Sequence, residues 1–162
     1  MGYSITIGTA RLVAGVDIKW GEGFYANWEV EDDTDDAAPV FHGDSVTGNT
    51  NGRSPSYSAW AKFVEEVGLD KVFFDESEGL MRDHPGTQVL LPKHLKAFED
   101  ALKRREENDP RPAGLDPRYN DPLNFGKQFE DATHDYHKVR LLWLLFWTRK
   151  ALASPLPAIH NS

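Results

Sequence analysis

The sequence predicts an α+β fold, and three observations carry that reading. The first thirty residues alternate apolar and polar side chains with period two. Three later segments repeat apolar residues at spacings of 3 and 4, which is helical. Strands therefore come early and helices later, giving a small antiparallel sheet from the N-terminal half, packed by about three helices. The last helix is expected to be central and buried.

Tyr3, Ile5 and Ile7 alternate with Ser4, Thr6 and Gly8, and Phe24, Ala26, Trp28 and Val30 alternate with Tyr25, Asn27 and Glu29. Gly21 and Gly23 mark a turn between them, so residues 1–40 form a hairpin region. The acidic run EVEDDTDDAAP follows and lacks the glycine and terminal glutamate of a calcium loop, so it is expected to be a solvated loop. Residues 43–56 carry almost no large apolar side chain and form a polar loop.

The first helix is expected over 55–68. Ser54 caps it, Pro55 suits its first position and Gly68 ends it, with Leu69 packing back on Val64. Tyr57, Trp60, Val64 and Val67 share its apolar face. Val72–Phe74 and Thr87–Leu91 are expected to be short strands. The second helix, 92–108, carries Leu91, Leu95, Phe98 and Leu102 on one side and stops at Asn108–Asp109–Pro110. Residues 109–126 form a connector rich in Asp-Pro steps. The third helix is expected over 127–153, with the wholly apolar run Leu141–Trp147 buried on every side. The last residues, SPLPAIHNS, are expected to be a tail held by Leu156 and Ile159.

With 162 residues the chain fits one domain, 1–162, and surface scaling expects about 70% of the unfolded surface to be buried. The net charge of −8 argues against direct nucleic-acid binding, which needs an excess of Lys and Arg. There is no Cys, hence no disulfide, thiolate nucleophile or zinc–thiolate site. The N-terminus lacks the basic region and apolar run of a signal peptide, and seven apolar residues are too few to cross a membrane. A cytoplasmic protein that needs neither cofactor nor membrane is the expectation.

Three constellations bear on function. GDSVTGNT superficially matches a phosphate-binding loop, but Asn49 stands where the Lys belongs, which excludes a nucleotide hydrolase. A weaker version remains: Arg53 beside the free N–H groups opening the first helix favours an anion, with Asp44, Thr47, Asn49, Asn51, Ser56 and Tyr57 as hydrogen-bonding or stacking partners. Against this, Asn51–Gly52 is a turn signal and Tyr57 shares its stripe with core positions. The second constellation is Glu130, His134 and His137, whose offsets of 4 and 3 place them on one helical face; a metal there would need Asp83, His84 or His94 as well. The bland alternative is the polar end of an amphipathic helix. The third is acid–base catalysis, for which neither Asp75, Glu76 and Glu78 nor a G-x-S-x-G motif gives a triad, so no catalytic residue is assigned.

The stretches GDSVTGNTNGRSPSYSAW, VFFDESEGLMRDHPG and VRLLWLLFW resemble small uncharacterised proteins encoded by bacteriophages and prophages. The resemblance implies a protein made in the bacterial cytoplasm during infection or lysogeny, and carries over no activity residue by residue. Such proteins often bind host factors, sequester small signals or become minor virion parts. The expected function is therefore a non-catalytic protein binding a host protein or a small anionic ligand through the 43–58 loop. The competing expectations are a metal-dependent enzyme on the Glu130, His134 and His137 face, and an assembly component whose terminal SPLPAIHNS docks on a neighbour.

Overall fold

The computed structural model describes residues 1–12, 28–40, 48–124 and 126–162. It is an α+β fold with one antiparallel, curled sheet. The hub is β1 (Ile5–Leu12), and the strand order is β2 (Trp28–Val30), β1, β5 (Pro157–Asn161), β4 (Gly86–Val89). A two-residue strand, β3 (Gly52–Arg53), pairs with the start of β1 on the edge whose far end takes β2. The turn expected at residues 20–23, and the half of the second strand before Trp28, lie outside the described residues.

Period two decides the two faces. Ile5, Ile7 and Ile159 are fully buried against the helices. Ala10, Val30 and Ala158 form a small cluster on the other face, with Trp28 and Leu156 against it. The curl brings β2 over β4, where the Thr87 hydroxyl donates to the Trp28 carbonyl.

The terminal segment corrects the sequence reading. It is no tail awaiting a neighbour but β5, paired with β1 from Ile5–Asn161 to Thr9–Pro157 and with β4 on its other side. The five residues of the strand are too few to give a recognisable alternation, and the strand they pair with lies some 150 positions away in sequence. Pro157 is tolerated because it opens the strand.

Among the described residues there are four α-helices, and the last of them is the one that lies directly on the sheet. Helix α1 (Tyr57–Glu66) is capped by Ser56, whose hydroxyl accepts from Ala59 N–H at 3.2 Å, so the cap is two residues beyond the expected Ser54. Its end is the expected Schellman turn: Leu69 N–H reaches Val64 O at 2.8 Å, Gly68 N–H reaches Glu65 O at 3.1 Å, and Gly68 takes φ +73°. Residues 72–74, expected as a strand, belong to the short helix α2 (Asp70–Phe74), a run too brief for periodicity to tell strand from helix. Helix α3 (Pro92–Asn108) has the expected bounds.

Helix α4 (Tyr136–Leu152) begins nine residues later than expected. Asp135 opens it by accepting from His137 N–H at 3.1 Å, while the preceding residues are held as turns. Arg118 grips Asp116 and Asp131, and Asp116 accepts from Thr133 N–H at 3.1 Å, so 127–135 is strapped to the connector rather than wound. Within the apolar run Leu142 is 37% exposed and Phe146 half-buried; Leu141, Trp143, Leu144, Leu145 and Trp147 are buried. The helix lies against β1 and α3 and is the centre of the core. Among the described residues no helix is long and apolar enough to cross a membrane.

Candidate functional site

The described part of the polar loop, 48–56, is a structural seam. Asn51 is 1% exposed. Its Nδ2 donates to Ile7 O at 3.0 Å and Glu31 O at 2.8 Å, and its Oδ1 accepts from Asp33 N–H at 2.8 Å. Asn49 donates to Asp36 at 3.3 Å and its carbonyl takes Asp35 N–H. The loop is thus sewn to the acidic run of residues 33–36, each supplying the backbone partners the other lacks.

Arg53 corrects the expectation of an exposed cation. It pairs with Ile5 in the sheet, and that register sends its side chain to the core face, where it is 2% exposed. Nη2 donates to Gly48 O at 2.8 Å, Nη1 donates to Gly52 O at 3.0 Å, and the guanidinium lies 5.4 Å from the Trp143 ring centroid. It ties the loop to α4. Asp44 and Thr47 lie outside the described residues. A shallow hollow of about 540 Å³ borders this seam, lined by Ser and Thr residues together with Asp32, Asp33, Asn51 and Arg53.

The second constellation is not brought together. Glu130 is exposed in a turn ahead of α4, so the spacing of 4 to His134 is not helical. His134 meets the Thr133 hydroxyl at 2.8 Å. His137 alone is on the helix, with Nε2 on the Glu66 carboxylate and Nδ1 at 3.0 Å from Arg140. Burial pushes the His137 imidazole below its ordinary pKa, assisted by Arg140 and opposed by the Glu66 hydrogen bond. His94, a candidate further ligand, is buried on α3 and accepts Leu91 N–H at 2.9 Å through Nδ1. No three His, Asp or Glu side chains among the described residues are placed to hold a metal ion.

Tyr57 is different. Its helical stripe predicts a core-facing side chain, as Trp60, Val64 and Val67 have. Tyr57 itself, on the first turn, is 37% exposed. Its ring stands edge-on to Tyr3 with centroids 4.7 Å apart and to His84 at 5.8 Å, and Tyr3 meets His84 at 5.1 Å. The phenolic hydroxyl lies 3.2 Å from His84 Nε2. On the other side of the imidazole, Nδ1 lies 2.6 Å from Asn161 Oδ1.

Asn161 fixes this arrangement. It is fully buried in β5, and its Nδ2 donates to Asp83 O at 3.0 Å and Gly86 O at 3.4 Å. With both amide protons facing carbonyls, Oδ1 is the atom left for His84. The imidazole must then carry its proton on Nδ1 and present the Nε2 lone pair to Tyr57. A hydroxyl, a base and a buried orienting amide thus form one chain of hydrogen bonds at an exposed corner of the fold. Burial and the neighbouring Tyr57 push the Tyr3 phenol above its ordinary pKa.

Comparison with protein-family models, with curated proteins and with solved structures finds no match.

The sequence names Tyr57 as a stacking candidate, and His84 as a distant metal ligand and as a neighbour of Asp83 whose side chain points away from it. Tyr3 and Asn161 gave no signal. Three of the four residues come from β4's approach, β5 and the chain start, which meet only through pairings that span the whole sequence.

Proposed function

We propose that this chain is a binding protein that engages a protein partner through the Tyr3, Tyr57 and His84 corner. The observation that carries the reading is the mutual edge-on packing of three rings at an exposed site, with His84 held by the buried Asn161. Tyrosine offers large contact area with a polar tip, and rings already ordered lose little freedom on binding. Tyr57 is 37% exposed and His84 is exposed, so the corner faces outward and offers its ring edges to a partner's surface. The net charge of −8 favours a partner with a basic face.

The resemblance to phage and prophage proteins directs the search to bacterial lysate. Tagged protein is used to capture partners, which are identified by mass spectrometry and then purified. Tyr57→Ala is expected to weaken the purified pair by about 2 kcal/mol, roughly thirtyfold, and to lower stability by no more than about 1 kcal/mol. Leu123→Ala, at an exposed position of the connector, serves as the control and leaves affinity unchanged. A partner bound equally by wild type and Tyr57→Ala refutes the reading.

A further inference from the structure

The Tyr57–His84–Asn161 chain has the logic of an activated nucleophile: a hydroxyl within hydrogen-bond reach of a base, and the base oriented by a third, buried group. We propose that Tyr57 accepts acyl groups from activated esters, with His84 as its general base and Asn161 as the residue that positions His84. The inference uses the same corner as the binding reading but requires no partner.

The chemistry sets the substrate class. Tyr57 Oη attacks the carbonyl carbon, its proton passes to His84 Nε2, the bond to the leaving oxygen or sulfur breaks, and His84 returns the proton to the departing group. The product is a tyrosyl ester. A phenolate is itself a good leaving group, so transfer runs downhill only from donors whose leaving group is at least as good. Aryl esters and thioesters qualify; alkyl esters and amides do not. Water, with His84 again as base, cleaves the tyrosyl ester to a carboxylic acid and restores Tyr57.

The geometry supplies the nucleophile, its base and the group that orients the base. Tyr57 is accessible, being 37% exposed on the first turn of α1. The Nε2 lone pair faces the hydroxyl in the tautomer that Asn161 enforces, and the rigid backbone carbonyls of Asp83 and Gly86 hold the amide. The ring of Tyr3 fixes Tyr57 from the side, so the hydroxyl is placed before any substrate arrives.

The probe is p-nitrophenyl acetate with the full-length protein. Release of p-nitrophenol and an acetyl group on the Tyr57 peptide, removable by hydroxylamine, are expected. Tyr57→Phe, which keeps the ring contacts, abolishes both, and His84→Gln slows them by about a hundredfold. The positioning role of Asn161 is read separately: long-range nitrogen–proton spectra are expected to show His84 protonated on Nδ1. Acetylation confined to amines and resistant to hydroxylamine, or tyrosine acetylation equally fast in His84→Gln, overturns the proposal. A His84 protonated on Nε2 overturns it as well. Partner affinity is measured independently, so loss of either reading leaves the other standing.

Discussion

Arg105 of α3 grips Asp135 at the start of α4 with two contacts, Nε to Oδ2 at 2.6 Å and Nη2 to Oδ1 at 3.1 Å. Asp135 is 3% exposed and also accepts from His137 N–H, so one carboxylate both opens the central helix and locks it to its neighbour. Bidentate geometry makes this the strong form of an ion pair.

Asp135→Ala removes the cap and leaves the Arg105 guanidinium with only its longer contact to Asp109, at 3.6 Å. A loss of about 3 kcal/mol is expected in denaturant melts, since breaking one side of a buried pair is more damaging than its net worth. Asp135→Asn keeps an acceptor for His137 N–H and is expected to lose less. A loss below about 1 kcal/mol for the alanine variant means that α4 is anchored elsewhere.

Trp143 is 1% exposed at the centre of α4, and its indole N–H donates to Thr50 O at 2.9 Å. Trp143→Ala is expected to destabilise by about 3–5 kcal/mol through the cavity left in the core. The 48–53 seam loses its contact to the helix at the same time, so amide hydrogen exchange there should rise more than in α3.

The helices were legible because their information is local. Pro92 and Asn108–Asp109–Pro110 bracket α3 at its observed bounds, and Gly68 with Leu69 writes the Schellman turn into adjacent residues. The start of α4 was illegible for the converse reason. Phe129 and Ala132 continue its helical spacing, but tertiary contacts from Arg118, Asp116 and Arg105 override it. The candidate site was the least legible part. Asn161 lies in β5, whose partners are at the opposite end of the chain, so neither its burial nor its approach to His84 leaves a trace in local pattern.

Arg53 now predicts the opposite of an exposed anion-binding residue. Arg53→Ala removes the donor to Gly48 O, leaves Gly52 O with the Thr50 hydroxyl alone, and removes the guanidinium near the Trp143 ring. A loss of about 2–4 kcal/mol is expected, as for a buried charged hydrogen-bonding group. Titration with inorganic phosphate, followed by amide shifts, is expected to show no site at residues 53–57 in wild type. A stable Arg53→Ala protein together with saturable phosphate shifts restores the anion reading.

Acid sensitivity follows from His94, whose imidazole burial and the nearby Lys93 charge hold at a pKa of about 4, below the ordinary 6.5. The unfolded chain therefore binds the proton more readily than the folded one between those values, and stability rises with pH across that window. The neutral imidazole's contribution is fully present above pH 6.5, is lost progressively towards pH 4 and is constant below it. Its size is on the order of 3 kcal/mol. Burial lowers His137 and His160 as well, and both act in the same direction. Urea midpoints measured from pH 7 to pH 4.5 should fall accordingly. His94→Asn, which retains an acceptor for Leu91 N–H, should flatten the largest part of that fall. An undiminished slope in His94→Asn assigns the acid sensitivity to the other two histidines.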